Sequence, residues 1–269
     1  MAKKKFIIII LSVLLFLSAT VLGVSSVYRV DEITVYAPVI SKEAEEEAKE
    51  LKNRLIQTYQ KRSTLFADSE DAEKIVAEFP YLRIVSFEKS YPNRLVLEIR
   101  EDAEVYAIPT TESETEYYIL NADFVVLGVR ESSENRSTGA HNVVFKGTHL
   151  LDVVAEKGKT ITGDKTLATL LEFSKKLHDA LGGIQRNILT IEVLRPATAE
   201  SETLFKITTE EGVVLYVRNP ANNLNEKAKR LIEEYAKLGD NEKTKGALLL
   251  YDNDGTIEVY YTIDQIPLQ

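Results

Sequence analysis

Hydrophobic positions along this chain switch repeatedly between a two-residue and a three-to-four-residue spacing. From Tyr28 to Tyr36 (YRVDEITVY) β-branched and aromatic residues dominate, which predicts a strand. Ser41 then offers an N-cap, and Ala44, Ala48, Leu51, Leu55 and Tyr59 form one apolar stripe on a helix from about Lys42 to Gln60. The acidic run EAEEEAKE inside it reads as a solvated helix face rather than a metal site. Ser69 can cap a second, shorter helix, Glu70 to Glu78, which Pro80 stops. Leu82 to Lys89 reads as a strand, Tyr91-Pro92-Asn93 as a turn, and Arg94 to Arg100 as a strand with Leu95, Leu97 and Ile99 on one face. The order β-α-α-β-β predicts a small α+β unit, two helices covering one face of a three-stranded sheet.

The second half predicts strands at Glu104–Ile108, Glu116–Asn121, Phe124–Gly128 and Asn142–Lys146. A helix follows over Lys165–Leu181, with Asp164 as N-cap, Gly182-Gly183 as its stop, and Leu167, Leu170, Leu171, Leu177 and Leu181 on its apolar face. Further strands read at Ile188–Leu194, Leu204–Thr209 and Val213–Arg218. Asn223 with Glu226 resembles a capping box for a helix to about Leu238. Ala247–Tyr251 and Thr256–Thr262 close the chain as a hairpin around Asp252-Asn253-Asp254-Gly255. Polar stretches at 110–116, 130–141 and 196–203 read as loops, and no repeat of 20–50 residues is present.

The N-terminus breaks both periods. Lys3, Lys4 and Lys5 precede Phe6–Val24, 19 residues without a charge. A helix of that length spans ~28 Å at about 1.5 Å per residue, close to a bilayer's hydrocarbon core. The run is longer than a cleaved leader's apolar core, and Ser18-Ala19-Thr20 and Val21-Leu22-Gly23 are poor cleavage sites. The expectation is an uncleaved signal anchor, its lysines cytoplasmic and the remainder exported. The expected organisation is a cytoplasmic tail at 1–5, a transmembrane helix at 6–24, a small domain at 25–101, a larger mixed α/β domain with an open, mainly antiparallel sheet at 102–264, and a tail at 265–269.

Charge and chemistry narrow the functional classes. The chain of 269 residues carries 33 basic and 42 acidic side chains, a net charge of -9, which argues against a general nucleic-acid binder. It has no cysteine and three histidines, so disulfides, thiolate metal sites and a Cys nucleophile are excluded. No G-x-S-x-G, H-E-x-x-H, Walker A or G-x-G-x-x-G occurs. Gly163-Asp164-Lys165-Thr166 ends like a phosphate loop but lacks the upstream glycine, and reads as a helix cap. Asp252-Asn253-Asp254-Gly255 starts like a calcium loop, yet Ile257 stands where an EF-hand needs glycine, so a hairpin turn is expected. His178 falls on the apolar face of its helix, while His141 and His149 flank loops without an obvious carboxylate or Ser partner. Asn135-Arg136-Ser137 fits a glycosylation sequon. The expectation is a protein without catalytic residues, metal or cofactor.

One stretch resembles a known family. In Phe79–Glu101 (FPYLRIVSFEKSYPNRLVLEIRE), Pro80, Leu82, Val85, Phe87, Lys89 and Pro92, then Leu95, Leu97, Ile99 and Glu101, resemble the end of the POTRA domain of the FtsQ/DivIB cell-division proteins. Val30, Ile33 and Val35 resemble that family's first strand, Ile119–Phe124 its hairpin after the POTRA unit, and the final helix and hairpin its β domain. Departures are Tyr36-Ala37-Pro38 in place of a glycine, Asp102 and Glu104 in place of Arg and Pro, and Leu248-Leu249-Leu250 in place of an acidic-aliphatic-Arg triplet. The resemblance implies a non-enzymatic, bitopic membrane scaffold of the divisome at the division septum. Its partners would be FtsL-like and FtsB/DivIC-like bitopic coiled-coil proteins and the septal peptidoglycan synthase complex.

The physical mode expected is strand addition at an open sheet border. The expected partner-binding residues are Tyr251, Thr256, Ile257, Glu258, Val259, Tyr260 and Tyr261; which of the two alternating sets faces the core is not decided by the pattern. Two other readings stand beside it. One is a POTRA-type membrane-anchored chaperone or export adaptor outside cell division. The other is a secreted hydrolase with dispersed catalytic residues.

Overall fold

The computed structural model describes residues 11–16, 18, 23, 26–60, 62–111, 114–148, 151–195, 202–253 and 255–263. It divides into two compact units, 1–101 and 102–269.

The N-terminal expectation requires a correction. Among the described residues no helix is long and apolar enough to cross a membrane. Of residues 6–24 only 11–16, 18 and 23 are described, and the rest of the expected span lies outside the described residues. The N-terminal transmembrane helix expected over 6–24 is thus not found among the described residues.

In the first unit β1 (Glu32–Tyr36) is followed by α1 (Lys42–Tyr59), α2 (Ser69–Val76), β2 (Leu82–Ser90) and β3 (Arg94–Glu101). The sheet order is β1-β3-β2, with β1 parallel to β3 and β2 antiparallel to it. The stripe on α1 is buried at Ala44, Leu51, Leu55 and Tyr59, and the alternation of β3 buries Leu95, Leu97 and Ile99 completely. The Tyr59 and Phe87 rings meet at 5.9 Å. Ser41 caps α1 as its sequence position predicts, its hydroxyl accepting from Ala44 N at 3.2 Å. Glu101, the last residue of β3, accepts the Ile40 and Ser41 amides at 2.5 and 3.1 Å, so the positive end of α1 holds a carboxylate from the far end of the unit. The second helix begins one residue earlier than the pattern suggests: Asp68, not Ser69, is the N-cap, its carboxylate accepting from Glu70 N at 3.0 Å.

The second unit is a mixed α/β domain around one nine-stranded sheet. Its strands are β4 (Tyr106–Pro109), β5 (Tyr117–Leu120), β6 (Val126–Arg130), β7 (Val143–Lys146), β10 (Ile188–Leu194), β11 (Leu204–Thr209), β12 (Val214–Arg218), β13 (Ala247–Asn253) and β14 (Thr256–Thr262). A short pair, β8 (Val153–Val154) and β9 (Thr162–Gly163), precedes α3 (Lys165–Leu181); α4 (Leu224–Lys237) and a single turn, α5 (Asp240–Lys243), lie between β12 and β13. The order across the large sheet is β14-β13-β12-β11-β10-β7-β4-β5-β6. Pairs β4–β7, β7–β10 and β12–β13 are parallel, and the other five are antiparallel.

One face packs against α3 and α4 in a core that includes Tyr106, Phe145, Phe173, Phe205, Leu215, Val217, Leu248 and Leu250. Residues one step along the same strands point the other way and form a smaller cluster, Leu204, Val214, Tyr216 and Ala247, extended by Leu194 and Leu249. Asp164 caps α3 through Leu167 N at 2.8 Å, and Gly182 ends it at φ 62°, so Gly163–Thr166 is a helix cap. Asn223 caps nothing with its side chain: at φ 53° it is left-handed, and the expected capping box with Glu226 does not form.

Candidate partner-binding border

Two strands end the large sheet, and they differ. β6 is partly covered, because Val126 bonds Lys159 O at 2.9 Å through its amide and Gly158 N at 2.8 Å through its carbonyl. Its last residue, Arg130, is committed to a buried ion pair with Glu104, described below. β14 pairs only with β13 among the described residues, so the backbone N–H and C=O groups on its other side, over Thr256–Tyr261, meet no further strand among the described residues. It is also longer, seven residues against five.

The register fixes the faces that the pattern left open. Ala247 pairs with Thr262 and Asn253 with Thr256. Ile257, Val259 and Tyr261 pack onto the main core beneath α4, and Tyr261 Oη donates to Lys245 O at 3.2 Å. Thr256, Glu258, Tyr260 and Thr262 lie on the opposite face. There Tyr260, 59% exposed, stands directly across from Leu249, which stands across from Tyr216. The exposed tyrosine thus continues the smaller apolar cluster out to the sheet border.

Glu258 and Tyr251 are neighbours across the hairpin and satisfy each other. Tyr251 Oη and Asn253 Nδ2 each donate to the Glu258 carboxylate at 2.7 Å. Those two bonds, Asn253 first, hold the Glu258 carboxyl below its ordinary range, and the same carboxylate pushes the Tyr251 phenol up. Of the seven expected residues, six lie on the border strand, Thr256, Glu258 and Tyr260 on its accessible face and Ile257, Val259 and Tyr261 on its core face. Tyr261 closes onto the 242–245 turn, and Tyr251 sits one strand inward.

Two residues that set this border escaped the sequence reading. Lys227 on α4 is fully buried, and its Nζ donates to Arg218 O at 2.7 Å, Asn219 O at 2.8 Å and Asp252 Oδ2 at 2.5 Å. It fastens the helix to the end of β12 and to β13, the strand on which β14 is built. The signal was available: Lys227 lies three residues after Leu224 and four before Leu231, a cation on the apolar stripe. Gly246 opens β13 at φ 85°, and a Cβ there would sit 2.4 Å from Thr262 O and 2.9 Å from Tyr261 Oη. Gly246→Ala should therefore cost about 1–3 kcal/mol and loosen the β13–β14 ladder first; amide exchange across Leu248–Leu250 and Val259–Tyr261, followed by mass spectrometry, reads it.

The other polar constellations are structural in their geometry. Glu104, fully buried, is clasped by Arg130 at 2.8 and 2.7 Å and also accepts from Arg136 N at 3.0 Å. Asn135 Nδ2 and Gln185 Nε2 donate to Glu104 O at 2.7 and 2.9 Å, so this knot ties loop 131–142 to the second unit. His141 Nε2 lies 3.0 Å from Ile188 O, and its other ring nitrogen lies 4.0 Å from Glu210, a carboxylate 69 positions away that spacing could not reveal. His178 is half-buried beside the Tyr106 ring, and its Nδ1 has no hydrogen-bond partner among the described residues. His149 lies outside the described residues. Among the described residues no group of three or more His, Asp or Glu side chains is placed to hold a metal ion. No protein-family model matches the chain, and no curated protein matches it.

Proposed function

We propose that this chain is a non-catalytic scaffold that captures an extended segment of a partner protein on β14, as a tenth strand of the large sheet. The observation that carries this reading is the outermost strand β14, which meets no strand beyond it among the described residues, next to an exposed Tyr260 and the apolar strip behind it. An added strand would gain main-chain hydrogen bonds from the border and side-chain contact from Tyr260 and Leu249. Tyrosine suits such a contact because it supplies apolar area and a hydroxyl together.

The resemblance of Phe79–Glu101 to the FtsQ/DivIB proteins supports placing this scaffold in bacterial cell division. The captured segments would then belong to FtsL-like and FtsB/DivIC-like coiled-coil proteins that bring in the septal peptidoglycan synthase complex. Co-purification of those partners with the full chain is the test. Val259→Pro, which removes an N–H from the border strand, and Tyr260→Glu, which charges its accessible face without touching the core, should each reduce capture at least tenfold, about 1.4 kcal/mol. Full capture by a folded Val259→Pro or Tyr260→Glu protein would remove strand addition. A fluorescent fusion spread evenly round the cell, rather than gathered at the septum, would remove the division role while leaving the border intact.

A further inference from the structure

The first unit exposes an apolar surface that the border strand does not explain. Three segments converge at one end of its sheet: residues 27–31 leading into β1, the loop 62–67 after α1, and the β2–β3 turn at 91–93. Thr64, fully buried, joins them: its amide donates to Tyr28 O at 2.7 Å and its hydroxyl reaches Tyr28 O and Pro92 O. Val30 N donates to Arg62 O at 2.9 Å, and the Tyr28 and Tyr91 rings meet edge-on at 6.1 Å. On this fixed frame Val27, Leu65, Phe66 and Tyr91 are exposed by 56, 42, 83 and 58%.

Two cations border the surface. Lys89 Nζ reaches Leu65 O at 3.4 Å, and Arg29 bridges to Ser63 through its backbone. Neither forms an ion pair among the described residues, whereas Arg62 and Arg94 are taken by Asp71 and Glu32. A cluster of exposed aromatic and aliphatic side chains edged by unpaired Lys and Arg matches the boundary between headgroups and acyl chains.

The chain that leads to this surface indicates what covers it. Phe6–Val24 carries no charge, and its described helical residues expose Leu11, Leu14, Leu15 and Phe16 by 55–75%. This apolar stretch joins the first unit at Val27, within the same exposed surface. A lipid surface satisfies both apolar regions at once, and its anionic headgroups complement Arg29 and Lys89. We infer that this end of the first unit rests on a bilayer surface, with Phe66 leading the 62–67 loop into the interfacial region. This contact is independent of the β14 reading and requires no helix to cross the membrane.

The chain contains no tryptophan, so a single substitution supplies a clean reporter. Full-length Phe66→Trp is mixed with vesicles of phosphatidylcholine and anionic phosphatidylglycerol, with or without bromine high on the acyl chains. Full-length Ile40→Trp is the control. Ile40 is 77% exposed but lies beyond the far end of the five-residue β1, about 17 Å along the strand. The expected result is a blue shift for Phe66→Trp on adding vesicles, with emission cut roughly two-fold by the brominated lipid, and no change for Ile40→Trp. Equal responses at the two positions, or none at either, would overturn the inference. A blue shift present before any vesicle is added would overturn it too, assigning the surface to a second copy of the chain.

Discussion

Glu104→Ala should lower the unfolding free energy of the second unit by about 3–5 kcal/mol, the cost of breaking a buried ion pair by removing one partner. The Glu104 side chain is fully buried and Arg130 is only 11% exposed, so the guanidinium left behind cannot recover its hydration. Two further donors, Arg136 N and Asn142 Nδ2, lose their acceptor in the same step. Because domains of this kind are stable by only about 5–15 kcal/mol, such a loss is a large fraction of the whole. Urea denaturation of the full chain, followed by near-ultraviolet signals from the tyrosines of the large sheet, measures it. The double variant Glu104→Ala/Arg130→Ala should lose less than the sum of the singles, because no charge is stranded. A loss for Glu104→Ala below about 1 kcal/mol would show that water replaces the carboxylate at no great cost.

Lys227→Ala should cost about 3 kcal/mol, at the lower end of the buried-pair range. Asp252 is 26% exposed and can turn partly to water, but the carbonyls of Arg218 and Asn219 lose a shared donor from inside the fold. The effect should also be local in a way the first is not. β13 is held to α4 through Asp252, so the β13–β14 hairpin should lose amide protection well before β7 or β10 does. Lys227→Met keeps the volume and should lose less than Lys227→Ala. If both variants unfold at the wild-type midpoint with unaltered exchange on β13, the lysine is not what fastens this hairpin.

These residues also show where sequence patterns stop informing. The stripe on α1 and the alternation on β3 were legible because each element has one buried face, and period then reports burial directly. Leu248-Leu249-Leu250 gave no period, since β13 has apolar neighbours on both faces. That is why the inward set of β14 stayed open until its register with β13 was known. Glu104 read as the start of a strand because nothing local distinguishes it; its partner Arg130 is 26 positions away, and the pairing exists only after folding. The parallel neighbours β4–β7, β7–β10 and β12–β13 are likewise joined through long crossovers that spacing does not encode. At the N-terminus, a charge-free run long enough for a bilayer is a statement about composition, and it did not carry over into a membrane-crossing helix among the described residues.

The placement of β14 has a consequence for biogenesis. It comes after every other strand in the sequence and lies outermost in its sheet, so eight strands can be laid down before it without leaving a gap. Polypeptides are built from the amino end, and interior strands whose pairing depends on segments not yet synthesised must wait. Here the waiting ends with the terminal hairpin, which snaps onto a finished platform. A polypeptide cut short before Thr256 would keep the interior strands and lose β14, and on the function proposed above it would no longer capture a partner there.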